Sequence, residues 1–391
     1  MDNVNGFATS DKRLHIVHVL SQLDSIGGTA RVLLYLLKHA DRKLVRHSFI
    51  CMLPGELQDE FEREGASVRV INSTSPWHVT MGVFRYSREL KPDVFATHFT
   101  RPLICTTLVA RALRVPVVHN EHGAAFKLTA DANLAERAST LMRNWALQVS
   151  QLVICNSHYT ATTITEAYSV DRALLRPLHL PVENRVSKPR EHVLDHDRSV
   201  VTIGHVGGMI ALRDQATLIR AVGVLRAKGV DARLIMVGDG PERAALEALA
   251  VSLQLRPWIT FAGYQTNLES FYECIDIYAN PAIGEGFGIA VVEAMLACKP
   301  VVLANAGAHP ELIEDGLSGL LHHPGSSQSL ADTLEMLISD PVRLKQITIA
   351  ARDRAEKLFS PQKYATQFEA IVAHATRADM TSRSYDGHRA F

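Results

Sequence analysis

Two carboxylates, Glu285 and Glu293, stand eight residues apart in the run NPAIGEGFGIAVVEAMLACKP at residues 280–300. The first is set among glycines, Gly284, Gly286 and Gly288. Ahead of it, Asp276-Ile277-Tyr278-Ala279 reads as a short buried strand. Behind it, Ile289, Val292, Met295 and Leu296 recur at helical spacing. Glu285 therefore belongs in a strand-to-helix loop, and Glu293 about two turns into the helix. Glycines let backbone come close to a ligand, and a helix start offers N–H groups to an anion. A carboxylate beside an anion site suits sugar hydroxyls or a developing positive charge. The pattern points to a sugar carrying a phosphate.

Other residues could contribute to the same chemistry. Gly27-Gly28 follows the apolar run Leu14–Leu20 and precedes a helix with Val32, Leu33, Leu36 and Leu37 on one face. Such a strand–glycine turn–helix unit can meet phosphate or sugar. It lacks the full G-x-G-x-x-G pattern, so a plain tight turn fits it as well. His98, His119, Glu121 and His122 fall at the ends of two expected strands. Three imidazoles and a carboxylate can hold a metal, but residues 119 and 122 lack helical i, i+4 spacing, and no metal site is expected. The five cysteines form no C-x-x-C pair, and four lie in apolar runs, as reduced core residues do.

These residues need elements to position them. At 391 residues the chain suits two domains. From Leu14 onward, apolar strand-length runs alternate with helical patterns, which argues for parallel sheets covered on both faces. In the first half, strands are expected at 47–53, 67–71, 93–97, 115–119 and 152–156, and Ser157 is expected to cap a helix. Residues 176–198 hold Pro177, Pro181 and Pro189 without periodicity and read as a linker. A second βα series follows, with strands at 200–206, 232–237, 259–262, 276–279 and 300–303. A helix over 361–376 follows the break Phe359-Ser360-Pro361. The expected limits are a first domain at 1–185, a linker at 186–198, a second domain at 199–360, a crossover helix at 361–376, and a disordered polar tail at 377–391.

Composition excludes some classes. With 41 Lys+Arg against 41 Asp+Glu, no nucleic-acid partner is expected. Residues 1–190 carry 23 basic against 17 acidic side chains. That excess could face anionic lipid or a phosphorylated acceptor, or be scattered solvated charge. It includes clusters at Lys38–His47 and at Arg85, Arg88 and Lys91. The first residues lack the apolar core of a signal peptide, and no run is long and apolar enough to span a bilayer. A cytoplasmic protein is expected, with the inner face of the membrane as a place it could rest.

The chain resembles family 4 of the glycosyltransferases, the retaining enzymes of GT-B fold. The most specific match is E-x7-E at Glu285 and Glu293, with GFG, EAM and KPVV around it. Gly27-Gly28, VGDGPE at Val237–Glu242, FAGY at Phe261–Tyr264, and Gly307–Glu311 before Asp315 and Gly316 follow in the family's order. The resemblance implies two Rossmann-like parallel-sheet domains facing across a cleft, with the C-terminal helix crossing back to the first. It implies that Glu285 contacts the donor sugar, that Glu293 holds ribose, and that the backbone of Gly286, Phe287, Gly288 and Ile289 meets the diphosphate. By the same resemblance Gly28 and Arg213 hold phosphate, Gly263 and Tyr264 flank the base, and His122 donates a hydrogen bond that orients the sugar. His98 and His119 are rivals for that last role.

Two stretches depart from the family: Pro181-Val182-Glu183-Asn184, which bears on the linker, and a turn that bears on the chemistry. An Arg is expected after the glycine of the first turn in the second domain, and a Lys about five residues on. Here the turn reads Gly207-Gly208-Met209, and Arg213 stands in the Lys position. A lost charge-assisted phosphate contact costs on the order of 1.5–3 kcal/mol. The resemblance implies a metal-independent hexosyltransferase without a cofactor. Its donor would be a nucleoside diphosphate sugar, with UDP or GDP as the nucleotide. Its acceptor would be a saccharide or lipid-linked saccharide, in bacterial polysaccharide or lipopolysaccharide assembly. The alternative is a non-catalytic sugar-nucleotide-binding or scaffold subunit that lost a phosphate cation.

Overall fold

The computed structural model describes residues 13–24, 28–125, 133–184 and 200–386, with side chains described through residue 376. The chain divides into two compact units. The first holds residues 1–155, 163–178 and 361–391; the second holds 156–162 and 179–360. The seam thus comes earlier than the residue-185 limit expected from composition, and a short piece after residue 155 sits with the second unit. The expected linker at 186–198 lies outside the described residues.

The first unit is a seven-stranded parallel sheet. Its strands are β1 (Leu14–Leu20), β2 (Val45–Cys51), β3 (Ser67–Val70), β4 (Val94–His98), β5 (Val117–Glu121), β6 (Leu152–Cys155) and β7 (Leu175–Pro177), in the order β3-β2-β1-β4-β5-β6-β7. β7 takes in Arg176 and Pro177, which the sequence reading gave to the linker. A proline is tolerated there because β7 is an edge strand. The inner strands are buried on both faces, which is why they read as near-continuous apolar runs.

The second unit repeats the plan with six parallel strands: β8 (Val201–Val206), β9 (Ala232–Val237), β10 (Ile259–Gly263), β11 (Ile277–Asn280), β12 (Val301–Ala304) and β13 (Leu320–His322), in the order β10-β9-β8-β11-β12-β13. Helices Gln215–Ala227 and Ser327–Ser339 seal one core with Leu218, Ile219, Val222, Leu330 and Leu334 against Ile203, Leu234 and Ile277. Both units are Rossmann-like, and in each the strand order reverses beside the first strand. Ligands of such sheets bind at the carboxyl ends of the two strands flanking that reversal.

The C-terminal helix belongs to the first unit. It runs Pro361–Asp386 and packs on helix Gly28–His39, with Tyr364, Phe368 and Val372 buried. It is therefore ten residues longer than expected, and the first part of the predicted disordered tail is helical. Residues 377–386 contain neither Gly nor Pro, so nothing in them breaks a helix. Their polar, aperiodic make-up gave no helical signal.

Candidate functional site

In the second unit the strand order reverses between β8 and β11. The loop after β8 carries Gly207–Asp214, and the loop after β11 carries Ala282–Gly288. The two loops bring together residues far apart in sequence. Arg213 and Glu285 form an ion pair, and both side chains are largely withdrawn from solvent. Ile283 N–H also donates to the Leu212 carbonyl at 3.0 Å. Burial draws the Arg213 pKa down, with Tyr278 opposing, yet a guanidinium stays charged. The residue expected on phosphate and the residue expected on the sugar thus hold each other.

The Glu285 loop is fixed from below. Ala308 N–H donates to the Glu285 carbonyl at 2.9 Å. Gly307, at φ +59°, lies so close that a Cβ there would meet the Glu285 carbonyl oxygen at 2.7 Å. Glycine is thus required at 307 on two counts. The next peptide is held as well: Ser157 Oγ donates to the Gly286 carbonyl at 2.6 Å and Thr160 Oγ1 at 3.3 Å. Ser157 also caps its helix as expected, accepting from Thr160 N–H at 2.9 Å. Glu311 accepts from the next two amides, His158 at 2.8 Å and Tyr159 at 2.7 Å, and meets His179 at 2.9 Å. Burial opposes ionisation of Glu311, but these hydrogen bonds hold its pKa below the usual carboxylate range.

Gly288, at φ +102°, turns the chain into helix Ile289–Leu296. Phe287 is buried against His179 and Phe359, so only its backbone is available to a ligand. Glu293 accepts from the Tyr272 hydroxyl at 3.1 Å, and the same hydroxyl reaches the Ala290 carbonyl at 3.1 Å. Burial, then the neighbouring Glu293 charge, raises the Tyr272 pKa, so its proton stays in place to be donated. The sequence reading missed Tyr272. It lies on helix Glu269–Cys274, before β11, and nothing in its local pattern marks it.

Gly263 ends β10 at φ +70° and its carbonyl accepts from Gly238 N–H at 2.8 Å. Tyr264 beside it is 52% exposed. Gly238 and Gly240 press on the backbone of Gly207 and Met209, where added Cβ atoms would come within 2.0 and 2.4 Å of carbonyl oxygens. The turn Gly238–Glu242 thereby clamps the loop after β8. Gly208 itself is exposed, and a Cβ there would meet nothing nearer than the Asp239 carbonyl oxygen at 3.9 Å. Arg243, beside Gly263, is tied to Asp239 and Glu247 at 2.9 and 3.0 Å.

In the first unit the reversal lies between β1 and β4. Gly28 opens helix Gly28–His39 just beyond β1; its neighbours Ser25–Gly27 lie outside the described residues. His122 follows β5, and its Nε2 is 2.9 Å from His98 Nδ1. Burial draws its pKa down to about 4, with Glu121 opposing. His119 is committed to Thr97 at 3.0 Å, and Glu121 pairs with Arg143. Among the described residues no group of three or more His, Cys, Asp or Glu is placed to hold a metal ion.

Residues 26–184 match the family model Glycosyltransferase Family 4, and residues 200–340 match Glycosyl transferases group 1. The chain is a glycosyltransferase of the family 4 type. Its relatives include a D-inositol 3-phosphate glycosyltransferase of Corynebacterium aurimucosum, 28% identical over 76% of this glycosyltransferase and 75% of that protein. Another is the N-acetyl-alpha-D-glucosaminyl L-malate synthase of Bacillus anthracis, 24% identical over 74% and 77% of the two chains. Among solved structures, Anabaena HepE in complex with UDP superposes with a TM-score of 0.77 at 22% identity, covering 92% of this chain and all of that one. The apo lipopolysaccharide outer core galactosyltransferase WaaB gives 0.72 at 14%, covering 92% and 99%. These structural likenesses establish the GT-B type of fold for this glycosyltransferase.

Proposed function

We propose that this glycosyltransferase moves a hexose from a nucleoside diphosphate sugar to a hydroxyl of a saccharide or lipid-linked saccharide, with retention at the anomeric carbon and without a metal. The observation that carries the reading is the Arg213–Glu285 pair at the strand reversal of the second unit, beside a glycine-started helix that bears Glu293. A cation for phosphate and a carboxylate for sugar in direct contact suit a ligand in which phosphate and sugar are directly bonded. Solved relatives in complex with UDP and with UDP-glucose favour a uridine nucleotide.

In this reading Arg213, Gly28 and the 286–289 backbone hold the diphosphate. Glu293, steadied by Tyr272, accepts from the ribose hydroxyls, and Gly263 and Tyr264 flank the base. Glu285 faces the sugar, where an oxocarbenium-like transition state favours a nearby carboxylate. His122 orients the sugar. The bond between the anomeric carbon and the phosphate oxygen breaks, and the acceptor oxygen bonds the same carbon on the same face. The departing phosphate oxygen takes the acceptor's proton. The basic clusters of the first half suit an anionic lipid surface at the inner face of the cytoplasmic membrane, and bacterial polysaccharide or lipopolysaccharide assembly would supply such acceptors.

The test is nucleotide release by purified protein offered UDP-, GDP- and ADP-hexoses, with and without EDTA, followed by assignment of the product anomer by NMR. Retained configuration and indifference to EDTA are expected. A second reading, a non-catalytic sugar-nucleotide-binding or scaffold subunit, is favoured by one observation: position 208 has no side chain, and Arg213 is already engaged by Glu285. No turnover with any donor, together with weak binding of UDP and GDP, would select it.

A further inference from the structure

Four imidazoles of the first unit form a continuous row across neighbouring strands. His122 follows β5, His98 ends β4, His18 lies in β1 and His47 in β2, and those strands are consecutive in the sheet. His122 Nε2 lies 2.9 Å from His98 Nδ1; His98 Nε2 lies 3.1 Å from His18 Nδ1; His18 Nε2 lies 2.9 Å from His47 Nδ1. The rings lie edge to edge and 19–29° from coplanar, with centroids 5.2, 5.4 and 5.2 Å apart, close to the ~4.8 Å spacing of strands. At the far end His47 Nε2 meets Glu369 Oε1 of the C-terminal helix at 3.5 Å, the outer limit of hydrogen-bond range. The Asp41 amide also donates to Glu369, at 3.3 and 3.4 Å to its two oxygens.

Every link joins an Nε2 to an Nδ1. A neutral imidazole has one donor and one acceptor. The row can therefore be satisfied throughout in only two ways, all protons on Nε2 or all on Nδ1. A mixed row would set two lone pairs or two protons against each other in a buried place, where an unmade hydrogen bond is costly. An ionised carboxylate only accepts. With Glu369 at the end, the satisfied sense is the one in which all four protons sit on Nε2 and point toward Glu369.

We propose that Glu369, acting through His47, His18 and His98, sets the tautomer of His122, with the proton on Nε2 and Nδ1 as an acceptor. These four are positioning residues. The consequence revises the role that the resemblance implies for His122: its Nδ1 accepts from a sugar hydroxyl rather than donating to one. This consequence rests on the glycosyl-transfer reading, whereas the tautomer itself does not. Burial disfavours a charged alternative along the row, since the pKa values of His18, His98 and His122 are all lowered by it.

The experiment is side-chain nitrogen NMR of the full chain labelled with 15N-histidine at neutral pH. His122 is assigned by difference with His122→Gln, and melting curves confirm that each variant is folded. The expected result is the Nε2–H form at His122 in the wild type. An Nδ1–H form should grow in for Glu369→Gln, whose amide can donate to His47, and for His18→Phe, which interrupts the row while keeping a ring on Phe49. Wild-type His122 protonated on Nδ1 or on both nitrogens would overturn the proposal, and so would a tautomer unmoved in both folded variants. In donor assays Glu369→Gln should lower kcat several-fold with the nucleotide KM unchanged. Absence of turnover in the wild type would count against the transfer reading and leave the tautomer result standing.

Discussion

At the scale of single residues, the pairing of Arg213 with Glu285 changes what a substitution should do. Each is the other's buried counter-charge, so truncating either leaves a charge uncompensated. Glu285→Gln keeps the shape and removes the competitor for Arg213. Turnover should fall by about 10²–10³, as when one preorganised transition-state group is lost. UDP should bind as tightly as before or tighter by isothermal titration, whereas Glu293→Ala should weaken it. Tyr272→Phe leaves Glu293 without its buried donor and should weaken UDP binding by about tenfold or less, the worth of one hydrogen bond. Gly208→Arg meets open space, so it should fold normally. If position 208 faces the diphosphate, the added cation should tighten UDP by roughly ten- to a hundredfold, or about 1.5–3 kcal/mol. An unchanged dissociation constant would place the phosphate elsewhere.

At the scale of elements, imidazoles buried in a strand and at the start of a short helix make the second unit acid-sensitive. His205 Nδ1 in β8 donates to the Ala279 carbonyl oxygen at 3.0 Å, and burial lowers its pKa to about 4. His309, buried beside Arg213, is lowered to about 3. Both folded-state values lie below the unfolded value of 6.5, so the unfolded chain takes up protons first. Stability from the neutral imidazoles is complete above pH 6.5 and is lost as pH falls through about 4 and then 3. The loss is at most about 3 kcal/mol for His205 and about 5 kcal/mol for His309. Urea midpoints measured at pH 7, 5 and 4 should fall steadily, and a flat profile would contradict the burial of these rings. The strands and helices that set this pattern were mostly legible in sequence, because apolar periodicity is local. Edge strand β7 and the short helices Glu269–Cys274 and His309–Leu312 escaped it, being too short to display a period.

At the scale of the whole molecule, the C-terminal helix is part of the first unit although it follows the last residue of the second in sequence. Its buried Phe368 stacks on His18 of β1, and Tyr364 stacks on Phe368. Deleting residues 361–391 should uncover helix Gly28–His39 and the His47 end of the imidazole row. The expected outcome is a lower Tm and aggregation originating in the first unit, read by calorimetry and by hydrogen exchange of β1 and β2. Among the described residues no helix is long and apolar enough to cross a membrane.

Sequence by itself determined the two βα series, the loop that carries Glu285, the helix that carries Glu293 and the departure at Gly208. Each of these follows from neighbours within a few residues, where periodicity, glycine and capping act. Tertiary structure alone decided that Arg213 binds Glu285, that Tyr272 holds Glu293, and that four histidines scattered from β1 to the end of β5 stand in one row. Those contacts depend on strand order and register, and the order reverses beside β1 and β8 without any local mark in the chain.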